Sequence, residues 1–417
     1  TLLASSAASD VYKRQLIMQC FRKVTEDLYW VGGNDRQIEL FENIFPLAKG
    51  VSYNSYLLLD EQTVLFDTAD YAIGKQFIEN VMSVLNGRNL DYIVVNHMEP
   101  DHCSLIGELL LHYPDVKIIG NAKTFPMIEQ FFSFDLTGKT LTVKEGDTFC
   151  SGKHTFRFIM SPMVHWPEAM MTYDEKDKVL FSADAFGTFN ALNGNLFNDE
   201  LDFNREWLDE ARRYYTNIVG KYGPQVQNVL KKASSLDIQM ICPLHGPVWR
   251  SNLNFIIEKY NLWSRYEPEE KGVMIAYASM YGNTENMAEI LAVMLAEAGV
   301  KNIHMHNISK THVSELISDS FKYSHIVLAS PTYNNGIYPL MDNYLEDMKA
   351  LSLQNRTIAV LGNGSWAPQA TKLISAKIKE MKNMRLLEAS VTIKSSLKEA
   401  QLEELNSLSR QIAEEVL

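Results

Sequence analysis

The sequence predicts an α/β protein of two domains, the second of them a doubly wound parallel sheet. The chain has 417 residues, more than the roughly 250–300 at which one hydrophobic core stops growing. After residue 272, a buried strand, a loop and a helix recur about five times in roughly 145 residues, which is typical of a parallel sheet. Before residue 267, short apolar runs alternate with helical segments, which indicates a layered α/β domain.

The N-terminal domain is predicted to span residues 18–266. Residues 1–17 lack the basic start and continuous apolar stretch of a secretory signal, so we expect a non-native or disordered leader and a natural start at Met18. Alternating or apolar runs predict strands, and longer periodic segments predict helices. The expected strands are Tyr53–Leu59, Val64–Phe66 and Tyr92–Val95, and the expected helices are Ile73–Leu85 and Glu206–Val219.

A linker is predicted at residues 267–272, which are polar and contain Pro268 and Gly272. The second domain then spans 273–417. Its predicted strands are Val273–Tyr277, His325–Ala329 and Thr357–Leu361, and Glu285–Ala298 is its first helix. Ligands of such sheets bind at the carboxyl ends of the strands, so the chemistry should lie in the loops there.

The composition excludes several classes of function. A formal net charge of −12 argues against binding to a nucleic-acid backbone, which requires clustered Lys and Arg. No apolar run approaches the roughly 18 residues of a membrane span. The 4 cysteines form no C-x-x-C pair, which excludes local zinc-ribbon and rubredoxin-type motifs and fits a reducing cytoplasm.

Metal-ligand residues are concentrated directly after the predicted strand Tyr92–Val95. The stretch Asn96–His102 holds four of them, and Pro100 forces an irregular loop in which neighbouring side chains can converge. Three more follow other predicted strands, so all could line one rim. The candidate metal ligands are His97, Glu99, Asp101, His102, His165, Asp184 and His245.

The pattern H-x-[HE]-x-D-H, followed by a lone His, a lone Asp and a final His, resembles the metallo-β-lactamase superfamily. This resemblance implies an N-terminal metallo-β-lactamase-like αββα domain with two metal ions. Most hydrolytic members have His where this chain has Glu99. A carboxylate there adds charge and a harder oxygen donor, which favours iron over zinc. In this respect the sequence is similar to the flavodiiron proteins.

The resemblance also implies a role for each candidate ligand. One iron would be bound by His97, Glu99 and His165, the other by Asp101 and His245, and Asp184 would bridge them. His102 matches a position whose residue binds metal in some members of the family and does not bind it in others. Cys103 and Cys242 lie close by in sequence and are expected to be small buried thiols, not ligands.

At the ends of predicted strands in the second domain lie the loops Ser279–Thr284, Pro331–Gly336 and Gly362–Ala367. In order and spacing they resemble the flavin-binding loops of flavodoxin, and this resemblance implies a flavodoxin-like doubly wound parallel sheet. The first has small hydroxyl residues and Gly that let backbone N–H groups surround a phosphate at a helix start. It lacks the Lys of a Walker A motif and is not G-x-G-x-x-G, so a phosphomonoester such as FMN suits it better than NAD. The candidate FMN-binding residues are Ser279, Met280, Tyr281, Gly282, Asn283, Thr284, Pro331, Thr332, Tyr333, Asn334, Asn335, Gly336, Gly362, Asn363, Gly364, Ser365, Trp366 and Ala367.

Trp366 is the residue most expected to stack on the flavin ring, with Tyr333 as a second aromatic candidate. The family resemblance implies an oxidoreductase that reduces O2 to water, NO to N2O, or both, at a diiron site supplied by FMN. It further implies a separate rubredoxin-like electron donor. The assembly it implies is a head-to-tail homodimer, in which the flavin of one subunit serves the irons of the other, or a dimer of such dimers.

Two other classes of function share parts of this pattern. A binuclear zinc hydrolase of the glyoxalase II kind, fused to an electron-transfer domain, would share most of the ligand pattern, but Glu99 argues against it. A pure electron carrier whose N-terminal domain has lost its metals would not need the full ligand set.

Overall fold

The computed structural model describes residues 19–417, so the predicted leader and the predicted start at Met18 lie outside the described residues. The strands are β1 Arg22–Lys23, β2 Leu28–Trp30, β3 Gly33–Asp35, β4 Leu40–Phe41, β5 Phe45–Pro46, β6 Val51–Tyr53, β7 Tyr56–Leu59, β8 Thr63–Phe66, β9 Tyr92–Val94, β10 Lys117–Asn121, β11 Thr140–Val143, β12 Thr148–Cys150, β13 Thr155–Met160, β14 Met170–Asp174, β15 Val179–Phe181, β16 Met240–Cys242, β17 Glu270–Tyr277, β18 Ile303–Asn307, β19 Tyr323–Tyr333, β20 Gly336–Ile337, β21 Thr357–Asn363, β22 Arg385–Leu386 and β23 Val391–Ile393.

The helices are α1 Gly74–Leu85, α2 Pro100–Cys103, α3 Ile106–His112, α4 Thr124–Phe131, α5 Phe203–Glu206, α6 Leu208–Tyr214, α7 Gly223–Ala233, α8 Leu253–Ser264, α9 Asn283–Glu297, α10 Val313–Lys322, α11 Pro339–Ala350, α12 Ala370–Lys379 and α13 Glu399–Val416. Short 3-10 turns cover Tyr71–Ile73, Asn198–Glu200 and Gly220–Tyr222, and a π-turn covers Tyr215–Val219. None of the helices within residues 19–417 is long and apolar enough to span a bilayer.

The first of two compact units contains residues 19–39, Leu47–Leu201 and Asp237–Ser251. It holds two sheets, with the orders β1-β2-β7-β8-β9-β10-β11 and β12-β13-β14-β15-β16. Phe66 of the first sheet stacks on Phe181 of the second with ring centroids 3.8 Å apart, so the sheets face each other across an apolar core. The αββα architecture expected for this part of the chain is confirmed.

The second compact unit contains Leu40–Pro46, Asp202–Leu236 and Asn252–Leu417. Its sheet has the order β18-β17-β19-β21-β22, with β23 paired to β21, and these strands are parallel. Numbered within the sheet, this is the 2-1-3-4-5 order of flavodoxin-like doubly wound folds. The predicted doubly wound parallel sheet is confirmed.

The two units place residues 202–236 and 252–266 with the second sheet, whereas the predicted boundary assigned them to the first domain. Aromatic packing accounts for this grouping, since the ring centroids of Tyr266 and Phe321 lie 5.9 Å apart. The Arg356 guanidinium also donates to the Tyr266 carbonyl at 2.7 Å. Glu270–Gly272, expected in the linker, are part of β17. The position of the boundary between the two domains stays a prediction.

The segment Tyr53–Leu59, predicted as one strand, is two strands that belong to different sheets. The interruption lies at the buried Asn54. Its side-chain amide donates to the carbonyls of Pro243 and Gly246 at 2.9 and 2.8 Å, and its carbonyl oxygen accepts from the Trp30 indole at 2.9 Å. These long-range hydrogen bonds turn the chain, and apolar periodicity alone could not reveal them.

The predicted helix Glu206–Val219 is also interrupted. Helix α5 ends at Glu206, and Trp207, whose φ is −128°, separates it from α6. The Trp207 ring is buried, and its φ departs from the roughly −63° of an α-helix. The last residues of the predicted helix, Tyr215–Val219, form the π-turn.

A buried ionic cluster in the first unit gives a pH-dependent prediction. The His154 ring lies 2.8 Å from Asp174, 3.1 Å from Asp27 and 2.9 Å from the Lys176 ammonium. Burial disfavours a charged imidazole, but the two carboxylates outweigh it and raise the pKa of His154 to about 9. Because the pKa in the folded state exceeds the unfolded value, the stabilisation is complete below about pH 6.5 and disappears as the pH rises through about 9.

We therefore expect His154→Gln to lower the free energy of unfolding by roughly 1–2 kcal/mol at pH 6, with a smaller loss at pH 9.5. Urea unfolding of both proteins across this range measures the difference. A gap between the two proteins that stays constant with pH would contradict the assignment.

Candidate functional site

The loop after β9 presents the first metal-ligand residues. The buried carboxylate of Asp67 accepts hydrogen bonds from the backbone N–H groups of Asn96 at 2.7 Å and His97 at 3.1 Å, which fixes the chain as it leaves the sheet. Pro100 then starts the short helix α2, at the position where a helix tolerates proline best. Asp101 and His102 lie on this helix, so the loop and the helix together direct its ligand-type side chains inward.

A first group of ligand atoms is formed by His97, Glu99, His165 and Asp184. The His165 Nε2 atom lies 3.0 Å from Glu99 Oε2 and 3.1 Å from Asp184 Oδ2. The His97 Nε2 atom lies 3.3 Å from the same Glu99 oxygen and 3.2 Å from the same Asp184 oxygen. A metal ion bound at about 2.1 Å to each donor separates neighbouring donors by about 3.0–3.4 Å, so the spacing suits one ion.

A second group is formed by Asp101, His102 and His245. The His102 Nε2 atom lies 3.1 Å from His245 Nε2 and 3.3 Å from Asp101 Oδ2. His245 Nε2 lies 3.4 Å from that Asp101 oxygen. His102, which the sequence left undecided, therefore directs its Nε2 atom into this group.

Asp184 connects the two groups through its two oxygens. Oδ2 faces the first group, whereas Oδ1 lies 3.2 Å from His102 Nε2 and 3.6 Å from His245 Nε2. One carboxylate oxygen directed at each group is the arrangement of a bridging ligand. The structure thus brings together all seven residues that the sequence singled out, and their roles as ligands remain a proposal.

The buried carboxylates of the site also suit the binding of cations. Within residues 19–417, both Asp101 carboxylate oxygens and Asp184 Oδ1 are buried and accept no hydrogen bond. Burial raises the pKa of the Asp101 carboxyl to about 7. Buried carboxylate oxygens without donors are costly unless a charge compensates them. A set of imidazole nitrogens and carboxylate oxygens would meet that requirement by binding metal ions.

Residues that the sequence analysis missed orient the ligands. Glu168 accepts hydrogen bonds from His97 Nδ1 at 2.9 Å and from the Met98 N–H at 2.8 Å. His245 Nδ1 lies 2.8 Å from the Ser52 carbonyl oxygen, and the Ser52 hydroxyl accepts from the Gly246 N–H at 2.7 Å. Such partners fix the ring orientation and leave Nε2 for a metal. The sequence feature that could have pointed to Glu168 is its closeness in the chain to the candidate ligand His165.

We expect Glu168→Gln to weaken retention of bound metal about 10- to 100-fold, since the charged partner of His97 is lost while the side-chain shape is kept. Metal content after timed dialysis against a chelator measures the effect, with flavin content as the check on folding. Glu108→Gln is the matched control, because Glu108 contacts His112 at 3.2 Å on an exposed helix face. Equal metal loss in the two variants would exclude the positioning role.

The two cysteines near the site are not arranged as ligands. Cys103 and Cys242 are both buried. The Cys103 thiol donates to the Met98 carbonyl at 3.2 Å, and burial raises its pKa to about 12. A thiol with so high a pKa is a poor source of thiolate, in agreement with the expected role as a packed side chain.

In the second unit, the three predicted loops line one cavity of about 510 Å³ at the carboxyl ends of β17, β19 and β21. Trp366 and Tyr281 are on its rim, with exposures of 88% and 89%. The lining residues are Ser279, Met280, Tyr281, Asn283, Thr284, Pro331, Thr332, Tyr333, Asn334, Asn335, Asn363, Gly364, Ser365, Trp366, Ala367 and Ser395. Exposed aromatic rings around a concave cavity that also carries hydroxyl and amide side chains are suited to stacking on a planar ligand.

Hydroxyl groups organise the cavity loops. The Ser279 hydroxyl accepts from the backbone N–H groups of Gly282 at 3.1 Å and Glu285 at 3.3 Å, which tightens the turn into α9. The Thr332 hydroxyl accepts from the N–H groups of Gln369 at 2.8 Å and Ala370 at 3.1 Å, at the start of α12. The Thr332 hydroxyl therefore holds two of the loops together.

Three glycines predicted in the cavity, Gly282, Gly336 and Gly362, are not among its lining residues. Gly282 has a φ of +86°, a conformation that favours glycine, immediately before α9. A Cβ atom at Gly362 would lie 2.0 Å from the Thr371 hydroxyl oxygen. These glycines thus shape the backbone around the cavity and do not line it. Ser395, which the sequence analysis missed, lines it and donates its N–H to Asn363 at 3.1 Å.

The second cavity loop differs from the prediction in its secondary structure. β19 continues through Tyr333, and Tyr333 pairs with Gly336 of β20 across a two-residue turn. Asn334 and Asn335 have φ values of 50° and 59°. Two consecutive positive φ values are typical of a type I′ hairpin turn, which asparagine tolerates well. The hairpin gives Tyr333 a fixed backbone at the cavity wall.

Comparisons with known proteins cover both units. A family model described as ODP family beta lactamase matches residues 51–246, and a flavodoxin model matches residues 275–406. The chain is 31% identical over 370 residues to the anaerobic nitric oxide reductase flavorubredoxin of Escherichia coli O1:K1. That match covers 86% of this chain and 75% of the relative.

Solved structures give the same result. The rubredoxin oxygen:oxidoreductase of Desulfovibrio gigas superposes with a TM-score of 0.88 at 28% identity, covering 95% of this chain and 98% of that one. The flavodiiron protein of Giardia intestinalis superposes with a TM-score of 0.88 at 26% identity, again covering 95% and 98%.

Proposed function

Because the chain belongs to the flavodiiron protein family, we propose that it reduces O2 to water, NO to N2O, or both, at a non-haem diiron site supplied by FMN. The observation that carries this proposal is the position of Glu99, whose Oε2 atom lies 3.0 Å from His165 Nε2 and 3.3 Å from His97 Nε2. A carboxylate in this place gives the first metal a hard, anionic donor, as iron prefers. The zinc hydrolase alternative is not favoured by the relatives.

In this proposal each ligand group holds one iron, and Asp184 holds both. His97, Glu99 and His165 would bind the first iron, and Asp101, His102 and His245 the second. Bound iron supplies one-electron redox chemistry and Lewis acidity toward a diatomic molecule. The protein neutralises the metal charge with three carboxylates, orients His97 through Glu168, and keeps bulk water from the imidazoles, which are almost fully buried.

The cavity of the second unit would bind FMN. The backbone N–H groups at the start of α9 would hold the phosphate, where the helix dipole favours an anion. Trp366 and Tyr333 would flank the isoalloxazine ring. FMN accepts and passes electrons singly or in pairs, which suits a relay between a one-electron donor and the metal site.

We further propose that a rubredoxin-type protein supplies the electrons, because the names of the D. gigas and E. coli relatives associate them with rubredoxin. The proposed assembly is a head-to-tail homodimer, or a dimer of such dimers, in which the flavin of one subunit serves the irons of the other. Light scattering with size-exclusion chromatography tests the assembly, and a monomer with full turnover would contradict it.

The function is tested by anaerobic purification followed by iron and flavin quantification and parallel O2 and NO electrode assays with a reduced rubredoxin. We expect two irons and one FMN per chain and consumption of at least one gas. A protein with two zincs, no iron and thioester hydrolase activity would overturn the proposal. A metal-free N-terminal unit after iron-replete expression would instead support a pure electron carrier.

A further inference from the structure

A second cluster of metal-ligand side chains lies in the C-terminal unit, outside the cavity and distinct from the proposed diiron ligands. It consists of His304, His306 and Asp319, whose ligand atoms all lie within 4.8 Å of one another. His304 Nδ1 is 2.9 Å and His306 Nε2 is 2.7 Å from the same oxygen, Asp319 Oδ2. Three donors of the kinds that bind late transition metals thus face one point.

The backbone brings these three donors close to one another. His304 and His306 are alternate residues of β18, the edge strand of the sheet, so their side chains project from the same face. The intervening Met305 packs against the apolar core on the other face. Asp319 reaches the pair from α10. An H-x-H pair on a strand, closed by a carboxylate from a helix, is a pre-formed three-ligand arrangement.

Solvent access and charge also suit an ion. The His304 side chain is 50% exposed, whereas those of His306 and Asp319 are 9% and 12% exposed, so an ion could enter from one side and keep water ligands. The Arg212 guanidinium lies 3.7 Å from Asp319 Oδ1 and leaves Oδ2 to the histidines. The Lys322 ammonium lies 3.7 Å from Asp209 and 3.9 Å from Glu270, which offset its charge.

We propose that His304, His306 and Asp319 form a peripheral binding site for a divalent late-transition-metal ion of the zinc class. The ion joins the edge strand β18 to α10 and completes its coordination with water. Binding replaces the hydrogen bonds between the imidazoles and Asp319 with bonds from each donor to the ion. This site is independent of the proposed gas reduction.

The test uses the flavin- and iron-loaded protein and Zn²⁺ alone as the probe. Equilibrium dialysis against a series of Zn²⁺ concentrations, with zinc and iron both quantified, is expected to show one more zinc per chain in the parent than in His304→Gln or His306→Gln. Each variant should bind this zinc at least about tenfold more weakly. His112→Gln is the control, because His112 is an exposed histidine that also contacts a carboxylate, Glu108 at 3.2 Å.

Thermal unfolding, measured without and with zinc, separates loss of zinc binding from loss of folding. Thermal unfolding without zinc gives the reference Tm of each of the four proteins, and added Zn²⁺ should raise the Tm above that reference in the parent and in His112→Gln only. If the histidine variants bind zinc with the parent's affinity and stoichiometry, or the parent binds no zinc beyond that exchanged for iron, the cluster is a hydrogen-bond network and the proposal is wrong.

Discussion

Asp184→Ala is expected to lose both metals and all turnover with O2 and NO while the protein stays yellow. Asp184 directs Oδ2 at His97 and His165 and Oδ1 at His102 and His245, so one substitution removes a donor from each of the two proposed metal positions. It also leaves two groups of buried imidazoles without their shared counter-charge. We expect iron to fall from two per chain to near zero, and activity to fall at least about 10³-fold.

Iron analysis, the flavin absorption spectrum and gas-electrode assays on the same preparation measure these effects. Asp115→Ala, which removes an exposed carboxylate from the same unit, is the control and should behave as the parent. Retention of full iron content and the parent rate in Asp184→Ala would mean that the ligand assignment is wrong. Loss of flavin together with iron would indicate misfolding, and Asp184→Asn would then be used to separate the two causes.

Trp366→Ala is expected to weaken FMN binding about 5- to 150-fold, because stacking of an aromatic side chain on a planar base contributes about 1–3 kcal/mol. The ring is 88% exposed at the cavity rim, so its removal costs little packing in the folded protein. The change should therefore appear in flavin affinity and not in stability or iron content. Fluorescence titration of the flavin-depleted protein with FMN measures the dissociation constant.

Val293→Ala is the control for this experiment, since Val293 is an apolar residue of the same unit that is 57% exposed and does not line the cavity. An FMN dissociation constant for Trp366→Ala equal to that of the control would remove Trp366 from the binding site. In that case Tyr281 and Tyr333, which also line the cavity, become the next candidates for the stacking residue.

The sequence was most informative where the chemistry is local. The loop residues His97 to His102 carry four ligand-type side chains in six positions, and their convergence follows from a strand end and a proline, both readable in the sequence. Likewise, the strand rhythm after residue 272 predicted the parallel sheet, and the ends of its strands gave the cavity loops.

The sequence was least informative where a distant segment decides the local structure. Asn54 interrupts a predicted strand because its amide donates to carbonyls of Pro243 and Gly246. Glu168 supports His97 from 71 positions away in the chain. No periodicity or spacing rule encodes such pairs, because each side chain alone is compatible with an ordinary polar loop.

The amino-acid sequence by itself therefore determined the kinds of candidate donor atoms, including the carboxylate of Glu99, the neutral hydroxyl-rich loops and the recurrence of strand, loop and helix after residue 272. Only the tertiary structure decided that Asp184 faces both ligand groups, that His102 joins the second group, and that His304 and His306 meet Asp319. The physical reason is that donor chemistry belongs to single residues, whereas distances of about 3 Å between residues far apart in sequence exist only after sheets and helices have packed.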